Sequence, residues 1–78
     1  MAKESELAAC VRHMLDKYFR DLDGEDTTGV YDMVIGAVEK PLIAYVVHHS
    51  EGNQTRAAGI LGINRNTLKK KIIQHRLD

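Results

Sequence analysis

The chain has 78 residues, 44% of them apolar, with three Tyr, one Phe and no Trp, so it is one small domain with a thin core. A chain of this size hides only roughly 60–65% of its unfolded surface, and a partner chain would help it. No run of about 20 apolar residues is present to span a membrane, and the opening Met-Ala-Lys-Glu-Ser-Glu lacks an apolar signal segment. A single Cys makes neither an internal disulfide nor a zinc site, and the expectation is a soluble, cytoplasmic protein.

The formal charge is zero, yet its distribution is lopsided. From Met1 to Gly52 there are five Lys and Arg against ten Asp and Glu; from Asn53 to Asp78 there are six against Asp78 alone. A basic final third points to a polyanion at that end. A solvated charged helix would produce the same asymmetry.

In chain order, the first helix is expected from Ser5 to Leu22. Leu7, Val11, Met14, Leu15, Tyr18, Phe19 and Leu22 recur at steps of three and four, which is an apolar stripe. Cys10 lies in or beside that stripe and reads as a small core residue, and Met14 and Met33 as core fillers. Asp23 to Gly29 breaks the helix, with Gly24 suited to its C-terminus.

The second helix is expected from Val30 to Ser50. Val30, Tyr31, Val34, Val38, Leu42, Tyr45, Val46 and His49 supply its apolar face, widened by Ile35 and Ile43. Pro41 removes a backbone hydrogen bond, so this segment is either one kinked helix or two shorter ones broken at Lys40. Continuous apolar spacing from Val34 through Val46 favours the kink. Two short helices follow, Gln54 to Leu61 and Arg65 to His75, separated by Gly62-Ile63-Asn64. The fold class is all-α, with four helices per chain. Residues 1–51 form dimerisation helices and 52–78 a helix-turn-helix.

The helix-turn-helix reading is physical. Ala58 is small where two helices approach closely, Gly62 suits a left-handed exit, and Ile63 plugs the turn. Leu61, Leu68 and Ile72 bury the inner faces, and Asn64 caps the last helix. Its first turns then present Arg65, Asn66, Thr67, Lys69 and Lys70 outward, side chains of the kind that reach base edges and phosphates. An ordinary helical hairpin with a solvated Lys face would leave unexplained why the acidic residues avoid this third of the chain.

Gly52-Asn53-Gln54-Thr55-Arg56-Ala57-Ala58 and Gly62-Ile63-Asn64-Arg65-Asn66-Thr67-Leu68-Lys69-Lys70-Lys71 resemble the C-terminal end of the bacterial Fis nucleoid protein family. The same end is similar to the C-terminal domains of enhancer-binding activators. Tyr18-Phe19, Leu22-Asp23-Gly24 and Val38-Glu39-Lys40-Pro41-Leu42 extend the likeness to the Fis family's first two helices. The resemblance implies a homodimer with an intertwined core and two projecting helix-turn-helix units, binding and bending degenerate A/T-centred sites in double-stranded DNA. It implies that Arg65 reads a guanine and that Asn64 contacts neighbouring bases. Asn53, Thr55, Thr67, Lys69, Lys70 and Lys71 would hold phosphates, and Asn66 joins the DNA-binding set. RNA polymerase would be a further partner, met through the turn before the third helix, where Gly52 and Gln54 are kept but His48 and Glu51 depart from the enteric pattern. The N-terminal β-hairpin arm has no counterpart here, so stimulation of DNA inversion is not expected. The tail Ile73-Gln74-His75-Arg76 is less basic than the family's usual ending, which weakens backbone affinity.

No nucleophile motif, phosphate-cradling Gly loop or paired catalytic acid is present. The adjacent His48 and His49 point different ways on a helix, and His13 and His75 stand alone, so no metal site is expected. Asp21, Asp23, Glu25 and Asp26 lack the spacing of a calcium loop. The expectation is a non-enzymatic transcriptional regulator at the nucleoid, without cofactor, metal or membrane partner. The rivals are the isolated DNA-binding domain of an enhancer-binding activator and a helical protein–protein adaptor.

Overall fold

The computed structural model describes residues 3–78. Among them are four α-helices and no strand: α1 (Glu6–Leu22), α2 (Val30–His49), α3 (Gln54–Leu61) and α4 (Arg65–Gln74). The chain divides into two units, Met1–Val34 and Ile35–Asp78.

In the first unit, α1 starts at Ser5, whose hydroxyl accepts a hydrogen bond from the Ala8 amide at 3.1 Å. It ends where Asp23, one residue before the expected glycine, takes up the left-handed conformation at φ 51°. Three ion pairs join its charges to near neighbours: Arg12–Glu4, Lys17–Asp21 and Arg20–Asp16. The Tyr18 and Thr27 hydroxyls lie 2.7 Å apart, which ties the loop after α1 back onto it. No residue of α1 is buried, and Leu7, Met14 and Phe19 are at least half exposed. Cys10, Met14 and Met33 are likewise exposed rather than core. Within the first unit the apolar stripe of α1 is only partly covered: among the described residues Val11, Leu15, Tyr18 and Leu22 are half-buried and the rest exposed.

The second unit has a closed core. Ile43, Ala57, Ala58, Leu68 and Ile72 are buried, with Val46, Val47, Leu61, Ile63 and Leu77 packed against them. Full burial of side chains such as Ile43 and Leu68 is worth roughly 1.5–3 kcal/mol each. α2 is one continuous helix with Pro41 inside it, so the two-helix alternative falls. The side of α2 that packs is only partly the expected one. Ile43, Val46, Val47 and Ser50 line the inner face, whereas Leu42, Tyr45 and His49 are exposed. Ile43 was expected only to widen the stripe; it is the anchor. The reason is that α2 is apolar nearly all round, so periodicity does not select one face.

Three helix ends in this unit close the same way. After α3, Gly62 (φ 74°) donates to the Gly59 carbonyl and Ile63 to the Ala58 carbonyl. After α2, Glu51 and Gly52 donate to His48 and Val47; after α4, Arg76 and Leu77 donate to Ile73 and Ile72. This paired pattern satisfies the last carbonyls of a helix and turns the chain sharply. At the third of these ends and after α3, the residue beyond the left-handed position, Leu77 or Ile63, packs against the core.

Candidate nucleic-acid interface

The helix-turn-helix forms as its local chemistry dictates. Asn53 caps α3, its Oδ1 accepting from the Arg56 amide at 3.1 Å. Ala57 and Ala58 are 0% and 5% exposed, leaving room for α4 to approach α3 without intervening side chains. Gly62 then turns the chain, and Asn64 caps α4 through Oδ1, which accepts from the Asn66 amide at 2.7 Å. Both asparagine amide groups keep their NH₂ donors, because only the oxygens are used in capping.

With Leu68 and Ile72 held inward, the first turns of α4 carry the polar set outward. Arg65, Asn66, Thr67, Lys69 and Lys70 are all exposed, as are Asn53, Thr55 and Asn64. Arg65, Lys69 and Lys70 have no carboxylate partner among the described residues. Lys71 differs from the other eight candidates. It is half-buried, and its ammonium lies 2.8 Å from the Glu39 carboxylate on α2. The other oxygen of Glu39 lies 2.8 Å from His75 Nε2. Lys71 first and His75 second hold the Glu39 carboxyl below the usual carboxylate range.

Two residues escaped the sequence reading. Arg56 is an exposed cation in the first turn of α3, without an ion-pair partner among the described residues. Glu39 meets α4 across more than thirty residues of chain, and no local signal announces that pairing. None of the candidates lines the shallow hollow bordered by Ala44, Val47, His48, Glu51, Gly52 and Leu77. The arrangement is an exposed cationic and amide-bearing face, chemistry suited to an extended polyanion. Among the described residues, no group of three or more His, Cys, Asp or Glu is placed to hold a metal. No described helix is long and apolar enough to cross a membrane.

Residues 35–75 match the family described as bacterial regulatory protein, Fis family, which is nearly the whole second unit. The chain belongs to the Fis family. Its similarity to individual Fis-family proteins runs well beyond the helix-turn-helix. A Fis-like DNA-binding protein of Neisseria meningitidis (serogroup A) is 51% identical over 72 residues, covering 92% of this chain and 91% of that protein. Another, from Ralstonia nicotianae, is 56% identical over 68 residues, 87% of this chain and 88% of its own. The DNA-binding protein Fis of Actinobacillus succinogenes is 48% identical over 66 residues, 85% of this chain and 67% of its own. Family membership agrees with a non-enzymatic regulator and with the all-α fold.

Proposed function

We propose that this Fis-family chain is a homodimeric, DNA-binding and DNA-bending regulator of the bacterial nucleoid, acting in the cytoplasm on degenerate A/T-centred sites. The observation that carries the reading is the outward face of α4. There Arg65, Lys69 and Lys70 stand without ion-pair partners among the described residues, on the second helix of a helix-turn-helix whose inner face is closed. Arg65 reads guanine, its planar fork matching O6 and N7. Asn64 and Asn66 reach neighbouring base edges, and Asn53, Thr55, Thr67, Lys69 and Lys70 hold the backbone. Lys71 stands apart from this set, its ammonium already paired with Glu39.

The homodimer is supported by the uncovered apolar side chains of α1 and α2, among them Leu7, Phe19, Tyr31, Leu42 and Tyr45. Residues 1–51 then serve dimerisation and 52–78 DNA binding. Two recognition helices closer together than one DNA turn would require the A/T-rich centre to narrow and bend. The turn at Glu51-Gly52 is the segment that would meet RNA polymerase. An electrophoretic shift in excess competitor DNA, followed by a footprint on genomic fragments, tests the reading. Protected, A/T-centred sites are expected. Absence of any shift, with capture of a protein partner by the same basic face, would favour the adaptor instead.

A further inference from the structure

The last helix carries three consecutive lysines, and helical geometry prevents them from sharing a face, since successive residues turn by about 100°. Leu68 and Ile72 define the face that α4 buries. Lys71 and His75 fall on that same side, each three residues beyond one of those anchors and four apart from each other. Lys69 and Lys70 do not, and both are exposed. At the edge of the buried face, Lys71 Nζ lies 2.8 Å from Glu39 Oε2 and His75 Nε2 lies 2.8 Å from Glu39 Oε1. One carboxylate of α2 therefore engages two side chains one helical turn apart, Lys71 on α4 and His75 at its C-cap. The side chains of Lys71, Glu39 and His75 are 29%, 17% and 9% exposed, so water screens this cluster far less than it screens the surface.

We propose that Glu39 is a positioning residue for the recognition helix, fixing α4 to α2 through Lys71 and His75 and thereby withholding Lys71 from DNA phosphate. The proposal rests on the DNA-binding reading above and adds to it which lysines do the binding. A phosphate competes for Lys71 from solvent, where its charge is screened and shared with counterions. Glu39 competes from 2.8 Å inside a partly desolvated cluster. Transfer of Lys71 to a phosphate would leave one oxygen of a mostly buried carboxylate without its donor, which is costly. The carboxyl is held below its ordinary range by these partners, so at neutral pH it is a full negative charge. Lys71 is thus a structural tie, and Lys69 and Lys70 are the phosphate clamps of the triplet.

The test is the salt dependence of affinity for an A/T-centred duplex, read by fluorescence anisotropy with the full chain. Each phosphate neutralised adds about 0.9 to the slope of log affinity against log salt, so a lysine present once in each protomer of a homodimer adds about 1.8, or roughly 12-fold between 50 and 200 mM. Lys70→Ala should lose that share, whereas Lys71→Met should keep the wild-type slope. Glu39→Gln should steepen the slope as Lys71 is released, and adding Lys71→Met to it should reverse the gain. Equal flattening by Lys70→Ala and Lys71→Met would overturn the proposal. A second readout uses the wild-type chain, so it stands even where a variant fails to fold. The ¹³C resonance of the Glu39 carboxyl should stay in place when DNA is added. Its movement toward the position of an unpaired carboxylate would also overturn the proposal. A wild-type chain that binds no DNA would remove the functional reading itself, an outcome distinct from a difference between lysines.

Discussion

The first helix and the helix-turn-helix solve opposite halves of one problem. Around α1 the helix's cations are paired, while several of its large apolar side chains stay exposed. Arg12, Lys17 and Arg20 each hold a nearby carboxylate, while Leu7, Met14 and Phe19 lie exposed. In the helix-turn-helix the apolar side is closed over Leu68 and Ile72, and the cations Arg56, Arg65, Lys69 and Lys70 have no ion-pair partner among the described residues. What a surface leaves unsatisfied indicates what it meets. A partly uncovered apolar stripe asks for another apolar surface, and unpaired cations beside free amide donors ask for a polyanion.

The largest expected effect breaks the closed region. Leu68 is fully buried, so Leu68→Ala should destabilise the fold by about 2–5 kcal/mol through lost burial and an unfilled cavity. Urea unfolding should show this as a lower midpoint. Truncation of the exposed Leu7 should instead alter assembly, seen as a weaker rise of melting temperature with protein concentration.

The next effect is on recognition. Arg65→Ala should cost about 1–3 kcal/mol of discrimination at the outer guanine while retaining weak non-specific binding. Parallel selection of binding sites by the wild-type and variant chains checks it. Recovery of the same outer G and C preference by both would make Arg65 a phosphate clamp.

A third effect sharpens the contrast between the ion pairs of the two regions. Those of α1 are exposed, and exposed pairs contribute little. Glu39 is shielded and its carboxyl is held low by Lys71 and His75. Because the folded value lies below the unfolded one, its stabilisation is fully present above the ordinary carboxylate range and is lost as pH falls through the folded value. Stability should therefore decline on acidification, and Glu39→Gln should flatten that limb. An unchanged acid limb in Glu39→Gln would assign it to other carboxylates.

Much of this contrast was legible in the sequence. The helix-turn-helix was readable almost to the residue because its determinants are local: Asn64 caps, Gly62 turns and Ala58 permits close approach, though the Asn53 cap and the burial of Ala57 went unread. The inward side of α2 was not readable, because a helix apolar all round offers no contrast between Leu42 and Ile43. The stripe of α1 was found, but sequence spacing does not show how much of it is covered, and Cys10 and Met14 are exposed. Lys71 was readable in principle, since Leu68, Lys71, Ile72 and His75 form a stripe of steps three and four. Read as a charge run, the three lysines hid it.

The smallest expected effect lies at the end of α2. Ser50 is 1% exposed and its hydroxyl has no hydrogen-bond partner among the described residues. Removal of an unsatisfied buried hydroxyl should be neutral or stabilising by about 1 kcal/mol, so Ser50→Ala should raise the melting temperature or leave it unchanged. A clear loss would reveal a partner for the hydroxyl.

The central claim is that unpaired cations on the helix-turn-helix meet DNA phosphate, and the salt dependence of wild-type binding tests it most directly. With roughly 6–10 phosphates neutralised by a dimer, affinity for an A/T-centred duplex should fall by about 10³–10⁵ between 50 and 200 mM salt. An affinity that stays flat across that range would contradict the account.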